Sequence, residues 1–363
     1  MPLLDERLLN EALRSRVADV TERYRADGYF PSASVRVFDR EKTLVSFQTG
    51  EAREDSLFDV ASLTKVATAA QVLTLAQKGA VSLDAPLADC FEEIAGDAFL
   101  RARLSGVTVR RLMTHTSSIA DWYPFYISGG EPFFSVFRTA LLKTKPVSGV
   151  VYSDINFMLL GKLVEKLRGE PLDQCLKDDL TEPLALGEMM YRPGKNTDVI
   201  ASGYGNPNEM EMCRARGAVY NKFRPLNREI RYDTHDGNAF YYFDNVAGHA
   251  GIFAAPRAYE NLCRYFMNTK LPLFIEAQRE QPGAPGRGLG LQTGPLYPFG
   301  CGHTGFTGTM IWFSREKNIG VVAFTNRLLY QNIAVERASN DYRRALNETV
   351  YATVENFRAL GNR

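Results

Sequence analysis

The residues with the clearest chemical potential are Ser62 and Lys65, which stand three positions apart in the chain. On a helix this spacing puts a hydroxyl and an amine on adjacent turns of one face, within reach of each other. A serine hydroxyl is a poor nucleophile until a neighbouring base removes its proton, and the first turn of a helix adds N–H donors and a positive dipole end. The pair therefore predicts a lysine-assisted serine nucleophile.

The same spacing occurs a second time, at Ser314 and Lys317. About one such pair is expected by chance in a chain of this length, so the spacing alone does not identify a site. The segment 62–78 is apolar or small nearly all round and stops at Gly79, which is typical of a buried helix with a glycine cap. Because the second pair falls in a predicted hairpin turn, the context favours Ser62.

Two further short motifs accompany the serine. The sequence YSD at 152–154 precedes an apolar helical segment, and HTG at 303–305 opens a candidate strand. The similar sequences YGN at 204–206 and QTG at 292–294 are set aside. The first lies in a loop rich in Gly, Pro and Asn, and the second runs into Pro295, which breaks a strand edge.

Hydrophobic periodicity predicts the elements that position these motifs. Residues 4–26 form an amphipathic helix, and 32–39 and 43–50 form the strands of a β-hairpin. The stretch 83–230 carries mostly helical patterns and irregular loops. The helix at 62–78, which starts with the candidate nucleophile, lies between the hairpin and this stretch.

Strand patterns return near the other end of the chain, at 288–294, 302–308, 309–314 and 320–326. A final helix is predicted at 334–359. The order of elements implies an α+β fold, in which an antiparallel sheet is assembled from both chain ends and flanked by helices. We expect a sheet domain formed by 1–82 and 231–363 and a mostly helical insertion domain at 83–230.

Composition narrows the class of protein. With 45% hydrophobic and 23% charged residues the chain has the makeup of a soluble globular protein. Lys and Arg (43) nearly balance Asp and Glu (42), so no net field would attract nucleic acid or an anionic membrane. No apolar stretch is long enough to span a membrane, and the N-terminal residues lack the apolar core of a secretory signal.

The cysteines and histidines predict neither a disulfide framework nor a metal site. The five cysteines are scattered, odd in number and without CxxC spacing, which fits a reducing cytoplasm, although a removed signal peptide would leave the same sequence. No two of the four histidines lie within one helical turn, as a zinc motif of the H-E-x-x-H type requires. We therefore expect no metal and no cofactor.

The order of the three motifs resembles the signatures of the serine β-lactamase and penicillin-recognising superfamily. Those signatures are S-x-x-K, then Y-x-N on a helical domain, then K-T-G or H-T-G on a strand lining the cleft. The stretch LMTHTSS at 112–118 is similar to one common in the class C β-lactamase-like branch, and VAGHAG at 246–251 resembles a loop of many bacterial relatives. The resemblance covers most of the chain and implies a β-lactamase/transpeptidase-like fold.

The resemblance also implies roles for particular residues. Ser62 becomes acylated, while Lys65 and Tyr152 share the transfer of its proton. The backbone N–H groups of Ser62 and Phe306 form the oxyanion hole. The residues expected to contact a small-molecule or peptide substrate are Asp154, His235, His303, Thr304 and Gly305. For His235, a purely structural role is the alternative.

Two positions depart from the family pattern. His303 stands where a lysine is usual and Asp154 where an asparagine is usual. The lysine supplies a permanent charge for a substrate carboxylate, and the asparagine amide donates a hydrogen bond to the acylamino carbonyl. A histidine is only partly charged near neutrality, and an ionised aspartate only accepts hydrogen bonds. Both changes predict a weak β-lactamase and favour an esterase, D-aminopeptidase or DD-peptidase activity.

Asp154 leaves two alternatives open. Close to Lys65, its carboxylate would favour the ammonium form of the lysine and leave Tyr152 as the proton acceptor. Otherwise it would cap the following helix. It also keeps open an alternative to an enzyme, namely an acylation-only or non-catalytic binding or sensor protein that retains the fold. The natural substrate and the oligomeric state stay open.

Overall fold

The computed structural model describes residues 3–330 and 335–361. The α-helices in these ranges are α1 (Leu3–Ala26), α2 (Thr64–Gln77), α3 (Leu87–Cys90), α4 (Glu92–Gly96), α5 (Ala98–Arg103), α6 (Val109–Met113), α7 (Phe133–Lys143), α8 (Asp154–Arg168), α9 (Leu172–Leu176), α10 (Pro207–Ala215), α11 (Pro256–Asn268), α12 (Pro272–Ala277) and α13 (Val335–Gly361). The strands are β1 (Ala33–Phe38), β2 (Thr43–Thr49), β3 (Phe58–Asp59), β4 (Met189–Tyr191), β5 (Gly203–Tyr204), β6 (Glu229–Ile230), β7 (Ile252–Ala254), β8 (Cys301–Thr304), β9 (Met310–Ser314) and β10 (Ile319–Thr325).

The main sheet of the described residues joins both ends of the chain. Its five strands are antiparallel and follow the order β2-β1-β10-β9-β8. Ala33 at the start of β1 lies opposite Thr325 at the end of β10. The predicted α+β fold, with a sheet assembled from both chain ends, is thus confirmed. A smaller sheet pairs β3, β7 and β4, and the pair β5 and β6 stands apart.

The main sheet separates two hydrophobic cores because its side chains alternate between its faces. In β10, Val321 and Ala323 face the core that includes α1 and α13, whereas Val322 and Phe324 face the larger core that includes α2, α8 and α11. The α1 side chains on the first core recur at helical spacing, at Leu9, Leu13, Val17 and Val20. Each large apolar side chain buried in this way contributes roughly 1.5–3 kcal/mol to folding.

The helix that carries the candidate nucleophile begins two residues later than predicted. A 3-10 turn spans Ala61–Leu63, and α2 follows from Thr64. Eleven of its fourteen residues are buried, which explains the nearly uniform apolar pattern. Gly79 has φ +77° and donates its N–H to the carbonyl oxygen of Ala76 at 3.0 Å, so it ends the helix as expected.

The prediction of a strand at 288–294 is wrong. Within this segment only single bridges form, at Gln292, and no continuous strand is present. Gly290 and Gly294 adopt positive φ angles of +74° and +119°, which an extended strand does not accommodate. Gly290 instead approaches α2 so closely that a Cβ atom on it would lie 2.2 Å from the Cβ atom of Ala69. The glycines therefore serve close packing and turns.

The stretch 83–230 contains α3 to α10, in line with the predicted helical patterns, but also three short strands that periodicity did not detect. One of them, β4, pairs with β7 outside this stretch. We keep the division into 1–82 with 231–363 and 83–230 as a proposal. Residue 334, the first of the predicted final helix, lies outside the described residues. No helix among the described residues combines the length and apolarity needed to cross a bilayer.

Candidate active site

Ser62 lies in a strained turn between β3 and α2. The preceding Ala61 has φ +47°, a left-handed conformation that non-glycine residues rarely adopt. Asp59 holds the turn, because its Oδ1 accepts a hydrogen bond of 2.8 Å from the Ala61 N–H. Tyr259 holds the other side by donating its hydroxyl to a carbonyl oxygen of the turn at 2.8 Å. These contacts fix the position of the half-buried Ser62 at the start of α2.

Lys65 is fully buried, and its ammonium group lies among several acceptors. Its Nζ lies 2.9 Å from Ser62 Oγ, 3.0 Å from the carbonyl oxygen of His249 and 2.8 Å from Asp154 Oδ1, and Tyr152 is a further partner. The charged form of the side chain has three protons to donate to these acceptors. Burial lowers the pKa of Lys65, but the charges of Asp154 and Tyr152 outweigh burial, and the net pKa is raised. Lys65 is therefore an ammonium ion at neutral pH.

Tyr152 lies between two cations. The Nζ atom of Lys65 is 5.0 Å from the centre of its ring, and the guanidinium carbon of Arg287 is 5.3 Å from it. The His115 ring packs against Tyr152 at 4.6 Å, and its Nδ1 accepts a hydrogen bond of 3.0 Å from the Ser153 N–H. Burial lowers the pKa of His115 well below its usual value, so this ring is a neutral support. Two cations and one neutral ring therefore lie close to Tyr152.

Asp154 is the first residue of α8, but its carboxylate is directed to Lys65 and not to the helix end. The N-cap position is occupied by Ser153, which makes no side-chain cap hydrogen bond. Its hydroxyl instead donates to the carbonyl oxygen of Ala120 at 2.6 Å. Of the two alternatives for Asp154, the ion pair with Lys65 is thus the one observed, at 2.8 Å.

His303 lies on β8, at the edge of the main sheet, and is buried. Its Nδ1 donates a hydrogen bond of 2.8 Å to the carbonyl oxygen of Thr304. Burial, with the charges of Lys65 and Arg287 acting in the same direction, lowers the pKa of His303 to about 3. The expectation of a partly charged histidine is therefore wrong, and the imidazole is neutral near pH 7.

The loop after β8 carries Phe306, one of the two residues whose backbone N–H groups form the predicted oxyanion hole. Phe306 is held by its carbonyl oxygen, which accepts a hydrogen bond of 2.8 Å from Arg327 Nε. The next residue, Thr307, donates its hydroxyl to the Asp59 carbonyl oxygen at 2.7 Å and so joins the loop to the Ser62 turn. Within the described ranges, neither the Phe306 N–H nor the Ser62 N–H donates to a protein acceptor.

The segment around His235 joins the site from the other side. The His235 N–H donates to Asp59 Oδ2 at 2.7 Å, and burial lowers the pKa of its imidazole to about 4. The next residue, Asp236, lies 2.9 Å from His249 Nε2 through its Oδ1. His249 in turn offers its carbonyl oxygen to Lys65. Both the structural and the substrate-contacting interpretation of His235 are compatible with this geometry.

Two glycines allow the loop at 246–251 to reach Lys65. A Cβ atom on Gly248 would lie 2.2 Å from a carbonyl oxygen of α8, and one on Gly161 of α8 would lie 3.0 Å from Gly248 Cα. The Gly248 carbonyl oxygen accepts a hydrogen bond of 2.8 Å from Thr68 Oγ1. Any larger side chain at the crossing would move the neighbouring His249 carbonyl away from the ammonium group.

A cavity of about 230 Å³ opens beside the candidate nucleophile. Of the residues predicted from sequence, its lining includes Ser62, Tyr152, Asp154, His235 and Phe306. The lining also includes Trp122, Asn206 and Glu209. Among the described residues, no three His, Cys, Asp or Glu side chains are grouped as metal ligands would be.

Sequence patterns did not identify Glu209 or Arg287. The YGN motif that contains Asn206 was set aside. Asn206 Nδ2 donates to the His235 carbonyl oxygen at 2.7 Å, and its Oδ1 accepts from the Tyr241 hydroxyl at 2.9 Å. Asn206 therefore supports the cavity wall, although not as part of a Y-x-N motif. The one signal for Glu209 was its place at the start of a helix after a Pro, in a loop otherwise lacking regular structure.

Asp59 gives a testable pH dependence of stability. Burial raises the pKa of its carboxyl to about 6, although two backbone N–H donors act in the opposite direction. A raised pKa means that the folded state holds this proton more tightly than the unfolded chain, so the stabilisation is present below about pH 4 and is lost as the pH rises through about 6. Relative to Asp59→Asn, we expect the wild-type free energy of unfolding to fall by up to about 3 kcal/mol over this range.

Urea denaturation of both proteins at several pH values between about 4 and 7 checks this expectation. Asparagine has the shape of the protonated acid and does not titrate, so all other groups cancel in the difference. A difference that stays constant over this range would contradict the assigned shift at Asp59.

Comparison with known proteins extends these observations. A family model described as Beta-lactamase matches residues 17–345. The chain is 29% identical over 206 residues to the N-acetylmuramyl-L-alanine amidase of Bacillus subtilis, which covers 49% of this chain and 44% of that protein. The chain spans about half the length of the first curated relatives that it matches.

Solved structures share the fold. A beta-lactamase/D-alanine carboxypeptidase from Yersinia pestis superposes with a TM-score of 0.65 at 20% identity and covers 94% of this chain and 98% of that one. A hydrolase with promiscuous acyltransferase activity gives a TM-score of 0.68 at 17% identity, with 95% and 100% coverage. These likenesses confirm the predicted β-lactamase/transpeptidase-like fold. Together with the family match over most of its length, they establish that this chain belongs to the beta-lactamase family of serine hydrolases.

Proposed function

We propose that this protein hydrolyses an ester or an amide or peptide bond through an acyl-enzyme on Ser62. The observation that carries the proposal is the hydrogen bond of 2.9 Å between Lys65 Nζ and Ser62 Oγ, with Tyr152 beside the same ammonium group. A hydroxyl with a fixed donor on one side and a potential proton acceptor on the other is arranged for nucleophilic attack.

The proposed sequence of steps needs only groups of this chain and water. Ser62 Oγ attacks the substrate carbonyl carbon while the Tyr152 phenolate takes its proton. The N–H groups of Ser62 and Phe306 stabilise the negative charge that develops on the carbonyl oxygen. The leaving alcohol or amine receives the proton from Tyr152. Water then attacks the acyl ester, with Tyr152 accepting and returning a proton in the same way.

Tyr152 is a better candidate for the base than Lys65 for an electrostatic reason. A base must be unprotonated when it acts, and the raised pKa of Lys65 keeps that side chain charged. In this proposal the base is Tyr152, whose ring centre lies 5.0 Å from that ammonium nitrogen and 5.3 Å from the guanidinium carbon of Arg287. In this proposal Lys65 orients Ser62 and supports Tyr152 without itself accepting the proton.

The charges around the site support a substrate other than a β-lactam. A neutral His303 offers no fixed positive charge to a carboxylate, and the ion-paired Asp154 offers no hydrogen-bond donor to an acylamino oxygen. The names of the similar proteins, an amidase and a D-alanine carboxypeptidase, are consistent with amide or peptide substrates. We therefore favour an esterase, D-aminopeptidase or DD-peptidase activity.

Nitrocefin turnover tests the β-lactam part of the proposal. We expect weak or undetectable turnover by the wild type and an increase of roughly tenfold or more in the double variant His303→Lys with Asp154→Asn, because a fixed charge and an amide donor are restored. A thermal melt of the variant serves as the control for folding. Wild-type turnover at a rate typical of dedicated enzymes, around 10 per second or faster, would refute this part.

An acylation-only binding protein is the second candidate, because the carboxylate of Asp154 stands where the family uses a neutral amide. Labelling with a fluorescent penicillin, followed by release over time, separates the two candidates. An enzyme releases the label and turns over members of a panel of p-nitrophenyl esters and D-amino acid amides. A binding protein retains the label and turns over none of them.

A further inference from the structure

The cavity beside the candidate nucleophile has an acidic wall in which one of three carboxyl groups has no ion-pair partner among the described residues. Its lining includes the carboxyl groups of Asp154, Glu209 and Asp236, and no lysine or arginine among its described lining residues. Asp154 pairs with Lys65 at 2.8 Å, and Asp236 lies 2.9 Å from His249. Glu209, in contrast, has no ion-pair partner in the described part of the chain. A buried carboxyl of this kind calls for a partner from outside the protein.

Glu209 is held tightly in this position by backbone packing. Its residue is only 8% exposed, and its Oε1 is buried without a hydrogen-bond partner among the described residues. The carboxyl packs against Gly237, where a Cβ atom would lie 2.1 Å from Oε2. Burial, followed by the charge of Asp236, raises the pKa of Glu209 well above its usual value. These surroundings favour the neutral form of Glu209 in the free protein.

The charged groups that face Glu209 leave this conclusion intact. Asp236 and Asp154 are acidic and disfavour its ionisation, whereas the N–H of Gly237 and the charge of Arg224 favour it. Arg224 stacks on Phe240, with its guanidinium carbon 3.5 Å from the ring centre, and its Nη2 donates to a carbonyl oxygen at 2.6 Å. Its Nε and Nη1 are buried without a hydrogen-bond partner among the described residues. It forms no ion pair with Glu209 within the described ranges.

We propose that this cavity accepts acyl groups that carry a primary ammonium and that Glu209 is the ionic partner of that ammonium. The inference rests on the proposed acylation of Ser62, because it concerns the acyl half of the same substrate. Trp122 and Met212 supply apolar walls for the carbon atoms between the carbonyl and the amine. The substrate class is thus an aminoacyl ester or amide with a free amino group.

Binding has a defined proton balance. The incoming ammonium offers the buried carboxyl its missing opposite charge, so Glu209 gives its proton to the solvent and forms a charge-assisted hydrogen bond. One proton is released for each ammonium bound. A ligand that accepts a hydrogen bond from the neutral acid would release no proton. Binding would also release no proton if Glu209 were already ionised beside Arg224.

Matched substrates test the proposal. The p-nitroanilides of D-alanine, L-alanine, β-alanine and 4-aminobutyrate are compared with their N-acetyl derivatives. We expect at least one free amine to be preferred by roughly 10- to 100-fold in kcat/KM, and Glu209→Gln to remove that preference. The matched control is Glu211→Gln on the same helix, where the side chain is 57% exposed and pairs with Arg214. The control should retain the preference.

Proton release gives a second readout that a structural role of Glu209 would not produce. Calorimetric binding of the preferred amine to Ser62→Ala, in phosphate and in HEPES buffer, should show close to one proton released. The double variant with Glu209→Gln should show none. Zero release from Ser62→Ala, or a preference for amines that survives Glu209→Gln, would overturn the proposal.

The failure of this inference can be told apart from failure of the acyl-enzyme itself. A neutral fluorophosphonate probe carries no amine and tests only the reactivity of the serine. If the wild type is labelled but prefers no free amine over its N-acetyl counterpart, the ammonium site is wrong and the hydrolase proposal stands. If the wild type is not labelled, the hydrolase proposal itself is wrong, and the ammonium site falls with it.

Discussion

Replacement of Ser62 by alanine abolishes covalent labelling by a fluorophosphonate and lowers kcat by roughly 10⁴- to 10⁶-fold. The reason is that no acyl-enzyme can form once the hydroxyl beside Lys65 is removed. The fold is expected to remain, because Ser62 is half-buried and the turn is held by backbone contacts of its neighbours. Intact-protein mass spectrometry after labelling, together with a thermal melt, provides the measurement.

Ser314→Ala is the matched control for this prediction, since Ser314 and Lys317 have the same sequence spacing. In the structure they lie at the turn between β9 and β10, where the Lys317 N–H donates to Ser314 Oγ at 3.1 Å. The Lys317 ammonium group is near Glu355, at 3.8 Å, and not near the serine hydroxyl. Labelling of this variant should equal that of the wild type. A mass shift that persists in Ser62→Ala would show that another residue is the nucleophile.

Tyr152→Phe lowers the acylation rate by roughly 10²- to 10⁴-fold, at least as much as Lys65→Ala. The physical reason is that the charged Lys65 cannot accept the Ser62 proton, whereas a phenolate flanked by Lys65 and Arg287 can. Stopped-flow acylation with a p-nitrophenyl ester measures the rate in both variants. A near-normal rate in Tyr152→Phe would remove the tyrosine as the base.

The pH profile distinguishes the base from a residue that supports it. In Lys65→Ala and in Asp154→Asn the pH profile of acylation should differ from that of the wild type, because each substitution removes one charge of the ion pair that lies beside Tyr152. An unchanged profile in Asp154→Asn would mean that this carboxylate takes no part in the proton transfer.

Local patterns were sufficient to predict most of the elements that position the site. Three elements arise from contacts that repeat every few residues along the chain. They are the amphipathic helix α1, the hairpin of β1 and β2, and the apolar helix α2. The strands β4, β5 and β6 have two or three residues each, too few to establish a period. The prediction of a strand at 288–294 was wrong for a related reason. The alternating pattern of this segment contains glycines that are required for turns and for contact with α2.

The motif residues were identifiable because the family signatures preserve their order, but their charge states were not. Whether His303 is charged depends first on its burial and then on the charges of Lys65 and Arg287, and the folded structure decides all three. Glu209 was missed because its importance comes from burial and from lacking a partner, and neither property can be read from its neighbours in the chain. Tertiary contacts, and not residue types, decide these features.

The position of β1 between β2 and β10 in the main sheet has a consequence for how the protein is made. β1 pairs on one side with β2, which follows it directly, and on the other with β10, which is synthesised much later. During synthesis, one hydrogen-bonding edge of the N-terminal hairpin therefore stays unpaired until β10 has been made. The contact between Thr307 and the Ser62 turn likewise forms only after Thr307 has been made. A chain that ends before β10 and Thr307 therefore carries Ser62 without either of these contacts.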